Sequence, residues 1–228
     1  MQLKTRIRNL LLPKGRRPWT VRGGRLKGMR LMLDLHLGTQ PWRGVYETRL
    51  QEWLVEYARP GDCCLDIGAA EGHFTLLMGK LVGPTGVVFA FEPTPAVRSI
   101  QENFDLNPAV SLAKLHVLHA FVTANAGAEK SVCIDQMIAQ RKISRVDVVK
   151  IDVDGAEVDV LESMKRALAE FHPHLFIEVH SKELLAQVES ITQKLGYSMT
   201  LEMPPKYERR LIAFNAFYYS SENCGRPA

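Results

Sequence analysis

An acid closes the apolar run Cys63-Cys64-Leu65-Asp66, and a small-residue turn, Ile67-Gly68-Ala69-Ala70-Glu71-Gly72, follows it before His73-Phe74. This is the pattern of a buried parallel strand whose carboxyl end carries a loop to a ligand. In a G-x-G-x-x-G turn the glycines seat a pyrophosphate against a helix N-terminus. Here the order is D-x-G-x-x-x-G. The carboxylate of Asp66 would repel phosphate and favour a cation, such as an amino group or the sulfonium of S-adenosylmethionine (SAM). Gly68 and Gly72 allow backbone angles and close approaches that a side chain would block. Asp66, Gly68, Ala70, Glu71, Gly72 and Phe74 are therefore the expected cofactor contacts in this stretch. An ordinary strand-to-helix turn would read the same if it stood alone.

A second apolar run, Val87 to Phe91, ends in Glu92-Pro93. An acid some twenty residues beyond the glycine turn is well placed to accept hydrogen bonds from ribose hydroxyls. The pair Asp66 and Glu92 points to a nucleoside-type cofactor. Ala120-Phe121, at the end of a third run, could sandwich an adenine ring, although a core strand end explains them equally well.

Further along, Val146 to Asp152 forms a fourth run leading into Val153-Asp154-Gly155-Ala156-Glu157, and a fifth ends in Glu178-Val179-His180. Open α/β sheets bind ligands at the carboxyl ends of their strands. Asp152, Asp154, Glu157, Glu178 and His180 should project there, with Lys150 on the same strand face as Asp152 by the period of two. So many ionisable groups beside a buried sheet would be costly without a function, although Asp154 or Glu157 could serve a helix N-terminus. Methyl transfer to an oxygen needs positioning and a base that removes the hydroxyl proton. His180 has the suitable ordinary pKa, and Asp152 or Asp154 could bind the hydroxyl or orient the base. Oxygen ligands from Asp152 and Glu178 could instead hold Mg²⁺, a reading placed below the metal-free one because no complete ligand set is visible.

The elements that must position these groups alternate. Leu77, Met78 and Leu81, Val97, Ile100 and Phe104, Val160, Leu161, Met164 and Leu168, and Leu184, Val188, Ile191 and Leu195 all fall at helical spacing between the strands. Tyr197–Leu201 and Leu211–Tyr219 read as a closing antiparallel pair. The predicted architecture is α/β, a doubly wound, Rossmann-like, mostly parallel sheet. Before it, the alternation of Met29, Leu31, Leu33, Leu35 and Leu37 with polar residues predicts a half-buried strand. Leu50, Trp53, Leu54 and Tyr57 share a helix face. The expected organisation is a basic leader over 1–24, a strand and helix extension over 25–60 that packs near the cofactor loop, and the main domain over 61–220.

At 228 residues the chain can bury a full core. No apolar run is long enough to cross a bilayer, and no export signal pattern is present. Four cysteines form neither a disulfide framework nor a zinc spacing, so a cytoplasmic location is expected. The net charge of +4 is uneven: 10 of the 29 Lys and Arg precede the first acid, Asp34, and the remainder carries about −6. Such a leader could touch an anionic membrane surface, with Leu3, Ile7, Leu10 and Leu11 at helical spacing, or remain a solvated terminus.

Tyr46-Glu47, Asp66-Ile-Gly-Ala, Ala90-Phe-Glu-Pro-Thr-Pro, Asn103 with Asn107, Val149-Lys-Ile-Asp-Val-Asp-Gly-Ala-Glu and Ile177-Glu-Val-His together resemble the FkbM-type SAM-dependent methyltransferase family over roughly residues 44 to 195. The resemblance implies the class I methyltransferase fold, with seven strands ordered 3-2-1-4-5-7-6. It also implies O-methylation of sugar, glycan or natural-product hydroxyls. Ala70 stands where the family commonly has Asn, Asp154 where it has Glu, and the segment 122–131 is short for the family. Two alternatives remain open: an RNA methyltransferase anchored by the basic leader, and a SAM-binding protein without turnover. No RNA-binding module precedes the core and no amide-proline-aromatic motif follows the fourth strand, so no specific nucleic-acid partner is expected. A nicotinamide oxidoreductase is disfavoured by Asp66 and the missing G-x-G-x-x-G.

Overall fold

The computed structural model describes residues 12–202 and 214–220. Arg17–Thr20 (β1) pairs antiparallel with Arg30–Leu33 (β2), so part of the predicted leader is ordered as a strand. Two short helices follow, Gln40–Arg43 (α1) and Thr48–Tyr57 (α2). Leu50, Trp53 and Leu54 of α2 are buried as their spacing predicts. The leader's Leu3, Ile7, Leu10 and Leu11 lie outside the described residues.

Cys63–Ile67 (β3) then leads to His73–Val82 (α3), Val87–Phe91 (β4), Val97–Asp105 (α4) and Lys114–Leu118 (β5). A small parallel pair, Phe121–Val122 (β6) with Ser131–Val132 (β7), flanks this half. Ile134–Ala139 (α5), Val148–Ile151 (β8), Glu157–Ser163 (α6), Lys165–Phe171 (α7), His174–Val179 (β9), Lys182–Lys194 (α8), Tyr197–Glu202 (β10) and Phe214–Ser220 (β11) complete the chain order. The single helix expected over Val160 to Leu168 is broken at Met164, whose φ of −130° is not helical.

The main sheet has seven strands in the order β10-β11-β9-β8-β3-β4-β5. Numbered along the chain within the sheet, this is the expected 3-2-1-4-5-7-6, with β11 antiparallel to both of its neighbours. All five residues of β3 are buried. Their period of two splits the core: Cys63, Leu65 and Ile67 join one apolar layer and Cys64 joins the other. The second layer also holds Val21, Leu26, Leu31 and Leu35 together with Trp53, Leu54 and Leu77. The N-terminal extension is thus packed into the same core as α3.

Two asparagines of α4 and its C-terminal turn fasten that extension. Asn107 accepts from the backbone N–H of Arg30 at 2.8 Å and donates to its carbonyl at 2.9 Å. Asn103 accepts from Met32 N–H at 2.7 Å and donates to the Glu71 carbonyl at 2.7 Å. Side-chain amides so supply the partners that β2 would otherwise find in another strand, and Asn103 ties β2 directly to the turn after β3. Among the described residues no helix is long and apolar enough to cross a membrane.

Candidate active site

Gly68 and Gly72 both have positive φ, 78° and 83°, the backbone that turns β3 into α3. A Cβ on Gly68 would sit 1.8 Å from the Asp152 carbonyl, so glycine there lets the ends of β3 and β8 approach. At Gly72 a Cβ would meet the Ile100 backbone at 3.0 Å. Gly72 therefore serves helix packing, and it does not line either cavity described below.

Two cavities meet at the turn, sharing Gly68 and Asp152. The larger, about 410 Å³, is walled by Phe91, Glu92, Pro93, Ala120 and Phe121 on one side and by residues 152–154 on the other. The Glu92 carboxylate accepts from Ala70 N–H and Thr94 N–H, both at 2.8 Å, so one acid ties the first strand turn to the second. The smaller, about 220 Å³, is lined by Gly68 through Glu71, Phe74, Lys150 and Asp152, with β2 as its roof. Tyr46 and His73 also line it and were not among the expected cofactor contacts. Tyr46 belongs to the family-like Tyr46-Glu47 pair, whereas His73 is legible only as the residue after the second glycine.

Asp66 is placed differently from its sequence reading. Its side chain is fully buried and lines neither cavity. Thr75 Oγ1 donates to it at 2.6 Å, and the Lys150 ammonium lies 3.3 Å away. The cation beside Asp66 in this structure is therefore internal. Lys150 also reaches Asp152 at 3.4 Å and donates to the Gly68 carbonyl at 3.0 Å. Burial alone would lower the Lys150 pKa, but Asp66 and Asp152 reverse that and hold it above its ordinary value. One buried ammonium so joins the cofactor turn to the acidic rim.

The predicted rim residues are brought together around His180. Its Nδ1 lies 2.6 Å from Glu157 Oε1, and Glu157 is fully buried. Its Nε2 faces Asp154 at 3.3 Å, Glu178 at 3.8 Å and Asp152 at 4.0 Å. An ionised carboxylate only accepts, so Nδ1 carries the proton and the lone pair of neutral His180 sits on Nε2. The hydrogen bond to Glu157 raises the His180 pKa against the opposing effect of burial. Burial pushes Glu157 upward, but the bonds from His180 and from Gly155 N–H bring it below its ordinary value. Glu178 is pushed up to about 7, first by burial and then by Asp152 and Glu47.

One oxygen each of Asp152 and Glu178 and one nitrogen of His180 lie within 4.8 Å of one another, a grouping that could hold a metal ion. The donor set is a poor match to magnesium, which prefers oxygen ligands in a near-ideal octahedron and is not suited by imidazole.

Comparison with known proteins gives a consistent result. The family model described as the methyltransferase FkbM domain matches residues 66–199. The hexuronic acid methyltransferase AglP of Haloferax volcanii is 25% identical over 148 residues, which cover 56% of this chain and 60% of that protein. Among solved structures, a methyltransferase FkbM from Methylobacillus flagellatus superposes with TM-score 0.56 at 19% identity, covering 81% of this chain and 52% of that one. An rRNA methylase from Streptococcus thermophilus gives 0.54 at 12% identity, covering 76% of this chain and 95% of that one.

Proposed function

Because the chain belongs to the methyltransferase FkbM family, we propose that it uses SAM to methylate a hydroxyl of a sugar, glycan or natural-product acceptor. The reading rests above all on the His180–Glu157 pair, held at 2.6 Å, with Nε2 of His180 3.3 Å from Asp154 and 4.0 Å from Asp152 of the cavity walls. Bound SAM supplies an electrophilic methyl group on a sulfonium. Fit to the cofactor is supported by the larger cavity, where the Glu92 carboxylate can accept from ribose hydroxyls and Pro93, Ala120 and Phe121 offer apolar walls for a base. The turn from Gly68 to Glu71 and Phe74 would hold the amino-acid end.

On the acceptor side, Nε2 of His180 takes the hydroxyl proton while Glu157 holds the ring and stabilises the imidazolium that forms. Asp152, which lines both cavities, would accept a hydrogen bond from the acceptor and so orient it. Glu178 and Asp154 add negative potential that stabilises protonated His180. Lys150 acts from below by fixing Asp152 and the cofactor turn.

AglP is named for a hexuronic acid, and such an acceptor offers two nucleophiles, a hydroxyl and a carboxylate oxygen. A carboxylate needs no base. The imidazole oriented by Glu157 favours the hydroxyl, the nucleophile that needs a base. The deciding experiment is an acceptor screen with methyl-labelled SAM over neutral sugars, uronic acids, hydroxylated natural products and an rRNA transcript. Label appearing as an alkali-stable ether on a sugar or natural product supports the proposal. Label only as an alkali-labile ester, or only on RNA, overturns it.

A further inference from the structure

Eight Lys and Arg stand between residues 14 and 43 against one acid, Asp34, and all eight are exposed. Among the described residues only Arg16 of the eight meets a carboxylate, Glu71 at 3.5 Å. From Asp34 onward the chain holds 19 Lys and Arg against 25 acids. A basic extension on an acidic domain is a charge separation that orients a protein over an anionic surface.

The fold gathers this charge beside apolar side chains. Arg22 N–H donates to the Trp42 carbonyl at 2.8 Å, and the Arg22 guanidinium lies over the Trp42 ring at 4.4 Å. A Cβ on Gly44 would sit 1.9 Å from the Gly23 carbonyl oxygen, and one on Gly24 would sit 2.1 Å from that of Gly44. Glycine there lets the turn carrying Arg22, Arg25 and Lys27 lie directly against the turn carrying Arg43 and Val45. Among the described residues the exposed large apolar side chains are Leu37, Val45, Tyr46 and Phe121. The first three flank α1, while Tyr46 lines the smaller cavity and Phe121 the larger. The basic turns therefore adjoin the walls of the site.

We propose that the face formed by residues 22–27 and 42–46, together with Leu37, docks the protein on an anionic lipid bilayer. Cations mixed with exposed aliphatic and aromatic side chains suit a charged headgroup layer over hydrocarbon. A nucleic acid would use the same cations, but Leu37, with 87% of its surface in water, gains nothing from phosphate, whereas an acyl-chain boundary buries it. The inference goes beyond methyl transfer: it sets the cavity walls at a membrane surface, within reach of an acceptor that the bilayer carries.

Co-sedimentation of the full chain with vesicles tests it. Vesicles of phosphatidylserine and phosphatidylcholine in equal parts should bind about tenfold or more tighter than phosphatidylcholine alone, and salt at about 0.5 M should remove most of that difference. The triple variant Arg25→Ser, Lys27→Ser, Arg43→Ser should bind the anionic vesicles about 10²-fold more weakly, since each cation near such a surface counts for about fivefold. Leu37→Ser should lose about fivefold or more, the scale of one apolar side chain withdrawn from hydrocarbon. Melting temperature and the Kd for S-adenosylhomocysteine (SAH) should be unchanged in both variants, because none of these four residues lines either cavity. No preference for the anionic vesicles, or binding retained in both variants, overturns the proposal. So does tighter binding to polyuridine RNA than to the vesicles, or a loss in the triple variant that Leu37→Ser does not share, since either makes the face a polyanion site.

Discussion

Nδ1 of His180 lies 2.6 Å from Oε1 of Glu157, a carboxylate with no exposed surface. The pair fixes which nitrogen of the imidazole is free, and the free one lies 4.0 Å from Asp152, a residue that lines both cavities. Glu157 sits at the start of α6, where an acid also suits the helix dipole. One acid thus both meets His180 and stands in the first turn of its helix.

Glu157→Gln should keep the packing but give Nδ1 a neutral partner. The proton is then held less firmly, and the raised pKa of His180 should fall. Turnover on the identified acceptor should drop by about 10²-fold or more, within the range for an impaired general base. The rising limb of the pH–rate profile should move to lower pH. A Gln variant with unchanged rate and profile would remove the pair from proton transfer.

Glu178 gives a stability prediction with a definite sign. Its folded pKa of about 7 lies above the ordinary 4.5, so the folded state binds the proton more tightly than the unfolded chain. That contribution is fully present below about pH 4.5 and is lost as pH rises through 7. His180, also raised, acts in the same direction: its contribution is present below its ordinary 6.5 and lost above its folded value. Glu157, lowered, acts oppositely, contributing above its ordinary 4.5 and losing that as pH falls through its folded value. Melting temperature measured from pH 5 to pH 8 should therefore decline for the unsubstituted protein. Glu178→Gln should flatten the decline and raise Tm at pH 8.

Much of this arrangement was legible in the sequence, and the exceptions have physical causes. The five apolar runs were readable as strands because buried parallel strands are continuously hydrophobic. Lys150 and Asp152 share a strand face, and their 3.4 Å approach follows from that period. The pairing of Asp66 with Lys150 was hidden, because it depends on β3 lying beside β8, where the two residues are in register. An acid can be seen in a sequence, but its neutralising partner across a sheet cannot. Strand β1 was missed because Arg-Pro-Trp-Thr is short, polar and contains proline. The break at Met164 carries neither glycine nor proline to announce it.

Ala70 tests a departure from the family pattern. It has φ of +48°, a left-handed conformation that asparagine adopts at less cost than alanine. Its N–H still donates to Glu92, so the strained backbone is held in place by the cofactor turn. Ala70→Gly should stabilise the protein by about 0.5–1 kcal/mol, raising Tm by about 1–4 °C for a chain of this size. Ala70→Asn should do the same to a smaller extent. A Gly variant that melts lower would mean that the side chain contributes packing that outweighs the strain.

Lys150 provides the sharpest test of how the cofactor turn is built. Its ammonium has almost no exposed surface and lies between Asp66, fully buried, and Asp152, partly exposed. Lys150→Met leaves the Asp66 carboxylate in the core with only Thr75 as partner. Removing one member of a buried ion pair typically costs about 3–5 kcal/mol, chiefly because the surviving charge stays desolvated. Urea denaturation of Lys150→Met should show a loss on this scale. Asp66→Asn in the same background removes the stranded charge, so the double variant should recover most of the stability. SAH binding separates structure from function: if Asp66 serves the turn through Lys150 alone, the refolded double variant binds SAH with nearly unchanged Kd. If Asp66 must meet the cofactor's cationic end directly, the double variant is stable but binds SAH at least tenfold more weakly, about 1.4 kcal/mol. The fully buried carboxylate and its absence from both cavity walls favour the first outcome.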